Sequence, residues 1–297
     1  MSHHTDGTTK GTRTMVTKER RARGRLRSWL TAGVALAASV SGLAVAGGAP
    51  AHAVEGDLST DLVGWWKLDE TSGTTAADSS GNGRTGTVTG TATWNGGDGF
   101  IFSGGSASSG NYIKLPNDLL AGLDNVTVDF DVWVDPALSG NWFMYNLGNS
   151  AAWPNGTGYL FTTNDSSGRF RATIAENGFT TEQSAYRAGG TPTGQWRHVT
   201  FSITGGTLAT PGSSKLYEDG VLVAQNNALT TKPSLLGTPD GTTTLNQLGR
   251  SAYSGDASFK GRLRDFRIYS RALTAAEAAE SASDTNTAAS AAVSARE

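Results

Sequence analysis

The stretch "NVTVDFDVWVDP", residues 125–136, constrains this chain more than any other. Val126, Val128, Phe130, Val132 and Val134 recur with a period of two, and Thr127, Asp129, Asp131, Trp133 and Asp135 fill the alternate positions. That period belongs to a β-strand, whose successive side chains point to opposite faces. A helix would scatter the same residues around its circumference. The run therefore predicts one buried strand face, which some other layer must cover. It also raises a chemical question, because the opposite face carries two carboxylates and a tryptophan.

Strand-like runs recur along the chain with turn residues between them. They include "LVGWWKL", "GFIFSG", "NYIKL", "NWFMYNLG", "GYLFTTN", "GRFRATIA", "EQSAYR", "QWRHVTFSIT", "LNQLGR" and "GRLRDFRIYS". In "KLYEDGVLVA", Asp219-Gly220 between two apolar runs predicts a two-residue hairpin. One short helix is expected in "SRALTAAEAAE", where Thr274 and Glu277 have capping-box spacing. Residues 282–297, small, polar and aperiodic, read as a flexible tail. Many strands and one terminal helix predict an all-β fold of antiparallel sheets packed face to face. In such a sandwich Val126 to Val134 face the core, and Asp129, Asp131 and Trp133 lie on the solvated side. Trp65, Trp66 and Trp196 read as packing residues.

Composition removes several kinds of chemistry. The chain has no cysteine, so thiol nucleophiles, disulfides and cysteine-ligated zinc are excluded. The net charge of −2 is unevenly spread: residues 1–53 hold eight of the 24 Lys/Arg and two of the 26 Asp/Glu, leaving 16 against 24 in the remainder. The basic segment reads as an export signal, with "KERRARGRLR" before the apolar "WLTAGVALAASVSGLAVA" and an Ala51-His52-Ala53 cleavage site. Met15 offers a second start. The mature chain is expected to begin at Val54, outside the cell, with residues 54–60 as a linker to a domain over 61–281. Its acidic body argues against nucleic acid and against an anionic membrane as partners. After cleavage His198 is the one histidine left, so multi-histidine zinc sites are excluded, and His198 is expected to bond a neighbouring strand or loop.

The segment "LVGWWKLDETSGTTAADSSGNGRTGTVTG", then "NVTVDFDVWVDP", "GYLFTTN", "GQWRHVTFSI", "KLYEDGVLVA" and "GRLRDFRIYSRALTAAEAAE", resembles in this order the bacterial LamG-like domains. Those domains have the concanavalin A-like jelly-roll fold and accompany secreted actinobacterial glycoside hydrolases, including arabinan- and xylan-active ones. The resemblance covers residues 61–281. It implies a jelly-roll sandwich of two antiparallel sheets and a non-catalytic carbohydrate-binding or adhesion module for a cell-wall polysaccharide. A glycoside hydrolase, or a fragment of one, and a structural protein-interaction domain are the alternatives.

For the hydrolase reading the residues are Asp129 and Asp131. Positions i and i+2 on a strand lie roughly 6.5 to 7 Å apart, within the carboxyl separations of about 5 to 9.5 Å that serve glycoside hydrolysis. Glucanases of the resembled fold carry Glu-x-Asp-x-x-Glu on one strand, whereas the corresponding positions here are Asp129, Asp131 and Val134. For sugar binding the candidates are the aromatic residues Trp142, Tyr145, Trp153, Phe179 and Tyr253, because flat rings stack on sugar faces; Trp142 and Tyr145 have opposite parity on one strand, so at most one of the two is expected to face a ligand. Glu182 adds a polar contact. For a structural Ca²⁺, "DSSGNG" offers Asp78, Ser80 and Asn82 oxygens, and Asp265 approaches if the two ends of the domain pair. The same hexapeptide is also good turn chemistry, and it lacks the glutamate of an EF-hand.

Overall fold

The computed structural model describes residues 57–149, 157–237 and 242–294. The expected signal segment 1–53 and Trp153 lie outside the described residues. The first strands are β1 (Leu62–Trp66), β2 (Thr75–Ala76), β3 (Gly86–Thr89), β4 (Phe100–Ser103) and β5 (Tyr112–Lys114). Next come β6 (Asn125–Val134), β7 (Tyr145–Gly148), β8 (Tyr159–Asn164), β9 (Arg169–Ala175) and β10 (Gln183–Ala188). The last are β11 (Trp196–Thr204), β12 (Gly212–Glu218), β13 (Val221–Leu229), β14 (Gln247–Leu248) and β15 (Lys260–Tyr269), before the helix α1 (Ala275–Ser294).

Two antiparallel sheets hold these strands. The first runs β1-β15-β6-β11-β12-β13, with β4 also on β15, and the second runs β10-β9-β8-β7-β14-β5-β3-β2. The expected valine stripe faces between them: Val126, Val128, Phe130, Val132 and Val134 are all buried. Val199, Phe201 and Ile203 of β11 extend the stripe, since β11 pairs β6 in register, with Phe201 opposite Val128. The second sheet contributes Tyr145, Leu160, Phe170 and Ile174 to the same core. Each such side chain contributes about 1.5 to 3 kcal/mol by leaving water.

Two local features follow from backbone chemistry. Asp219 and Gly220 have φ of 51° and 77°, so the predicted hairpin turns through two left-handed residues, the type I′ geometry that matches strand twist. In β15 the pairing register slips between Arg264 and Arg267, and Asp265 there has φ 54°. This bulge interrupts the regular two-residue alternation of a strand. Leu263 and Phe266, three apart, both enter the core, while Arg264 and Arg267 both point to the outer face.

The C-terminal helix departs from expectation. Thr274 and Glu277 do form a capping box, with the Thr274 N–H donating to Glu277 at 2.7 Å and the Glu277 N–H donating to Thr274 Oγ1 at 3.3 Å. The helix then continues to Ser294 instead of ending near 281. Alanine has the highest helix propensity, and the alanines of the segment read as a tail carry the helix onward. Among the described residues no helix is long and apolar enough to cross a membrane.

Part of the outer face of the first sheet is covered. Residues leading into α1 lie across it: Thr127 Oγ1 donates to the Arg271 carbonyl and accepts from the Leu273 N–H, both at 2.8 Å, and Ser202 donates to the Leu273 carbonyl at 3.0 Å. Asp129 and Asp131 are consequently buried, contrary to the expected outward exposure. Trp65 and Trp196 are half-buried on this outer face and not in the core, each beneath an arginine.

Candidate functional site

The second sheet has an outer face of different character. Along β8 the residues Leu160 and Thr162 alternate with Tyr159, Phe161 and Thr163, and along β9 Phe170, Ala172 and Ile174 alternate with Arg171, Thr173 and Ala175. The inward set joins the main core. The outward set forms a second apolar cluster, in which Phe143, Tyr159, Phe161, Ala175 and Ala252 pack with Tyr253. Phe143 and Phe161 stack at 3.7 Å and 3°, and Tyr253 stands edge-on to Tyr159 at 5.7 Å.

Above this cluster lies a cavity of about 240 Å³. Its wall includes Asn141, Phe143 and Thr163, the carboxylates of Asp165, Glu182 and Asp256, the Arg171 guanidinium, and the rings of Phe179 and Tyr253. Phe179 is 73% exposed, an apolar ring left facing solvent at the rim. It sits in a single 3₁₀ turn, Phe179–Thr181, entered through Gly178 at φ 70°.

A hydrogen-bond network fixes the polar groups. The Tyr159 hydroxyl donates to Glu182 Oε1 at 2.9 Å and lies 2.8 Å from the Tyr253 hydroxyl. Arg171 pairs with Glu182 Oε2, approaches Asp165 at 3.4 Å, and lies over the Phe161 ring at 5.0 Å. Burial raises the Asp256 carboxyl pKa above its ordinary value, and burial likewise raises the Tyr253 hydroxyl. At Asp165 burial acts upward too, but the hydrogen bonds and charge of Arg169 outweigh it and the pKa is lowered. The result is a small, pre-organised set of donors and acceptors around an aromatic floor, the form of a small-molecule or sugar site.

Of the residues singled out from sequence, Glu182, Phe179 and Tyr253 line this cavity. Trp142 also touches it, but Trp142 is 3% exposed and packs on Phe259 at 5.5 Å, so it forms wall and not platform. Tyr145 is a correction: it is fully buried between the sheets, edge-on to Phe130 and Phe266, with its hydroxyl 3.0 Å from Thr162, and no ligand can reach it. Arg171, Asp165 and Asp256 escaped the sequence reading. The alternation of Arg169, Arg171 and Thr173 with Phe170, Ala172 and Ile174 was the available signal for Arg171.

The carboxylate pair of β6 does not form a catalytic site. His198 of β11 lies between the two, with Nε2 2.9 Å from Asp129 and Nδ1 2.9 Å from Asp131. Thr200 and Ser281 donate to Asp129 at 2.6 and 2.7 Å, Arg267 approaches it at 3.6 Å, and Arg264 Nε donates to Asp131 at 2.9 Å. Burial alone would lower the His198 pKa, but the two carboxylates outweigh it and raise the pKa to about 10. Burial likewise opposes ionisation of Asp129, yet His198 and Arg267 hold it at about 2. These are fully partnered structural charges beneath the C-terminal segment, with no path for a substrate.

The proposed calcium ligands are also engaged. Asp78 accepts the N–H groups of Trp65, Ser80 and Arg84. Asn82 turns its amide N–H to the Leu62 and Val63 carbonyls. Asp265 accepts the Trp65 indole N–H at 2.5 Å and pairs with Arg267 at 2.6 Å. The ends of the domain do pair, as β1 on β15, and Asp78 and Asp265 both bond Trp65, one at its backbone N–H and the other at its indole N–H. Among the described residues no three acidic or histidine side chains gather as a metal site.

A sequence profile of the concanavalin A-like lectin/glucanases superfamily matches residues 104–279, more than half of the chain. The chain belongs to that superfamily. The matched span contains every cavity residue and the buried Asp129–His198–Asp131 cluster. Among solved structures, this concanavalin A-like domain is similar to domain 4 of AbnA, a GH43 extracellular arabinanase from Geobacillus stearothermophilus, in complex with arabinotriose. The identity is 21% and the TM-score 0.58, covering 75% of this chain and 98% of that one. It is also similar to the botulinum neurotoxin serotype C1 binding domain, at 14% identity and TM-score 0.56, covering 76% of this chain and 52% of that one. A third likeness is to a Trypanosoma rangeli sialidase, at 15% identity and TM-score 0.52, covering 74% of this chain and 32% of that one. At these identities the likeness is one of fold. No curated protein sequence matches the chain.

Proposed function

We propose that this concanavalin A-like domain is an exported carbohydrate-binding module and that its glycan seats in the cavity over β8 and β9. The observation that carries the reading is the cavity itself: an exposed Phe179 ring and the Tyr253 edge stand beside Arg171, Glu182, Asp165 and Asp256 over an aromatic floor. Rings supply stacking surface for a sugar face, and the fixed charges supply donors and acceptors for its hydroxyls. Three carboxylates against one arginine disfavour an acidic sugar here, so the expected ligand is a neutral one. The likeness to an arabinanase domain holding arabinotriose supports arabinan as the first glycan to test, with xylan second.

The test is binding of the purified chain to arabinan, xylan and chitin, with and without EDTA, and with reducing-sugar release assayed in the same wells. Binding without release, abolished in Arg171→Ala, supports the module. Release of sugar would make the domain a hydrolase, and absence of binding to any neutral glycan would remove the reading. N-terminal sequencing of exported protein beginning at Val54 would support the expected signal cleavage.

A further inference from the structure

The outer face of the first sheet carries a second arrangement that the cavity does not use. Lys260, Arg262 and Arg264 alternate along β15 and so share one face. Lys260 pairs with Asp135 at 3.3 Å and Arg264 with Asp131 at 2.9 Å. Between them Arg262 faces Trp133, its direct register partner on β6, and Trp133 in turn faces Trp196 on β11. The Arg262 guanidinium lies over the Trp133 ring at 4.6 Å and the Trp196 ring at 5.1 Å from their centroids. Arg264 covers Trp196 as well, at 4.3 Å, but it also donates to Asp131 and to the Gly97 carbonyl. Among the described residues the Arg262 guanidinium has no carboxylate partner and no hydrogen bond, and Arg262 is half-exposed, as are both tryptophans.

The cation in the middle of this ladder is thus positioned by aromatic rings while its N–H donors stay unclaimed. A guanidinium presents those donors as a rigid planar fork that matches the two oxygens of a carboxylate, and less ordering is lost on binding when the fork is already held. The flanking indoles offer apolar surface to the ring that bears the carboxylate. The patch is also cationic on a domain whose mature chain is acidic overall. We infer that Trp133, Trp196 and Arg262 form a second carbohydrate site, specific for an acidic sugar, a hexuronate unit of a polysaccharide. It lies on the opposite sheet from the cavity and differs from it in charge preference, so it stands independently of the function proposed above.

The experiment titrates the purified chain with trigalacturonate, galactotriose and a sulfated disaccharide, following tryptophan fluorescence and heat of binding. Trigalacturonate is expected to bind and to perturb the tryptophan signal, with at least tenfold loss in Arg262→Gln and in Trp196→Ala. Arg262→Lys keeps the charge and the aliphatic stem but loses the fork, so it is expected to fold like the parent and to lose the preference for carboxylate. Phe179→Ala is expected to leave trigalacturonate binding unchanged. The inference is overturned if trigalacturonate does not bind, if galactotriose perturbs the tryptophans equally, or if Arg262→Gln and Arg262→Lys both bind as the parent does. Equal binding of the sulfated disaccharide would overturn it too, as a mark of unselective charge attraction.

Discussion

Ser281 of α1 donates a hydrogen bond to Asp129 of β6 at 2.7 Å, joining residues 152 positions apart. The contact closes the outer face of the first sheet over a carboxylate already held by His198, Thr200 and Arg267. Removing that carboxylate takes one of two counter-charges from His198 and from Arg267, leaving Asp131 and Asp265 as their remaining partners in a largely buried place. Asp129→Ala is therefore expected to cost about 3 to 5 kcal/mol, measured as a shift in urea unfolding. Neutral-glycan binding per folded molecule should be unchanged, because the cavity lies on the other sheet.

The same cluster sets a pH window. The His198 pKa is raised to about 10 when folded, so its stabilisation is complete below the ordinary histidine value of about 6.5 and is lost as pH rises towards 10. The Asp129 pKa is lowered to about 2, so its share is present above the ordinary carboxyl value and is lost as pH falls through about 2. Because the two pair with each other, they describe one interaction with two edges. Unfolding free energy should be flat from about pH 4 to 6.5 and decline on both sides. The His198 ring resonances should show no titration between pH 5 and 8, and a titration centred near 6.5 would contradict the assignment.

Phe179 and Tyr145 predict opposite outcomes for the same kind of change. Phe179→Ala removes an exposed ring, so stability should stay within about 0.5 kcal/mol while neutral-glycan affinity falls about tenfold, or about 1.4 kcal/mol. Tyr145→Ala empties the space between Phe130 and Phe266 and should destabilise by about 3 to 5 kcal/mol. Calorimetric melting and glycan titration of both variants separate the roles.

Gly220 links the hairpin to the helix. Its φ is 77°, and a Cβ there would meet the Ala279 Cα at 2.8 Å. Gly220→Val should cost about 1 to 2 kcal/mol from the left-handed backbone, and more from the displaced helix. Amide exchange in the first turns of α1 should accelerate relative to β6.

Much of the sandwich was legible because its signals are local. The valine stripe of β6, the Asp219-Gly220 turn and the Thr274–Glu277 cap each depend on residues within a few positions of one another. What could not be read depends on a long-range cover. Nothing in "VTVDFDVWVDP" says that Arg271 to Ser281 will lie over Thr127 and Asp129, so a buried ionic cluster looked like a wet face. Tyr145 was misread for a related reason: without a fixed alternation around it, a tyrosine on a short strand reads the same whether its ring turns into the sandwich or away from it. The cavity residues Asp165, Arg171 and Asp256 come from separate strands and turns, and only the sheet brings them together. The bulge at Asp265 hid the true faces of β15, because one extra residue reverses the parity of all that follow.

The antiparallel pairing of β1 with β15 also has a mechanical consequence. Leu62 lies opposite Tyr269 and Trp66 opposite Phe266, so the chain enters and leaves the sheet at the same edge. Tension applied between those two points would open β1 from β15 one hydrogen bond at a time, like a zipper, instead of shearing the whole row at once. The docked helix would lift first on the carboxyl side. A domain tethered at both points would therefore yield under modest force from that edge, while the Val126–Val134 strand at its centre stayed intact.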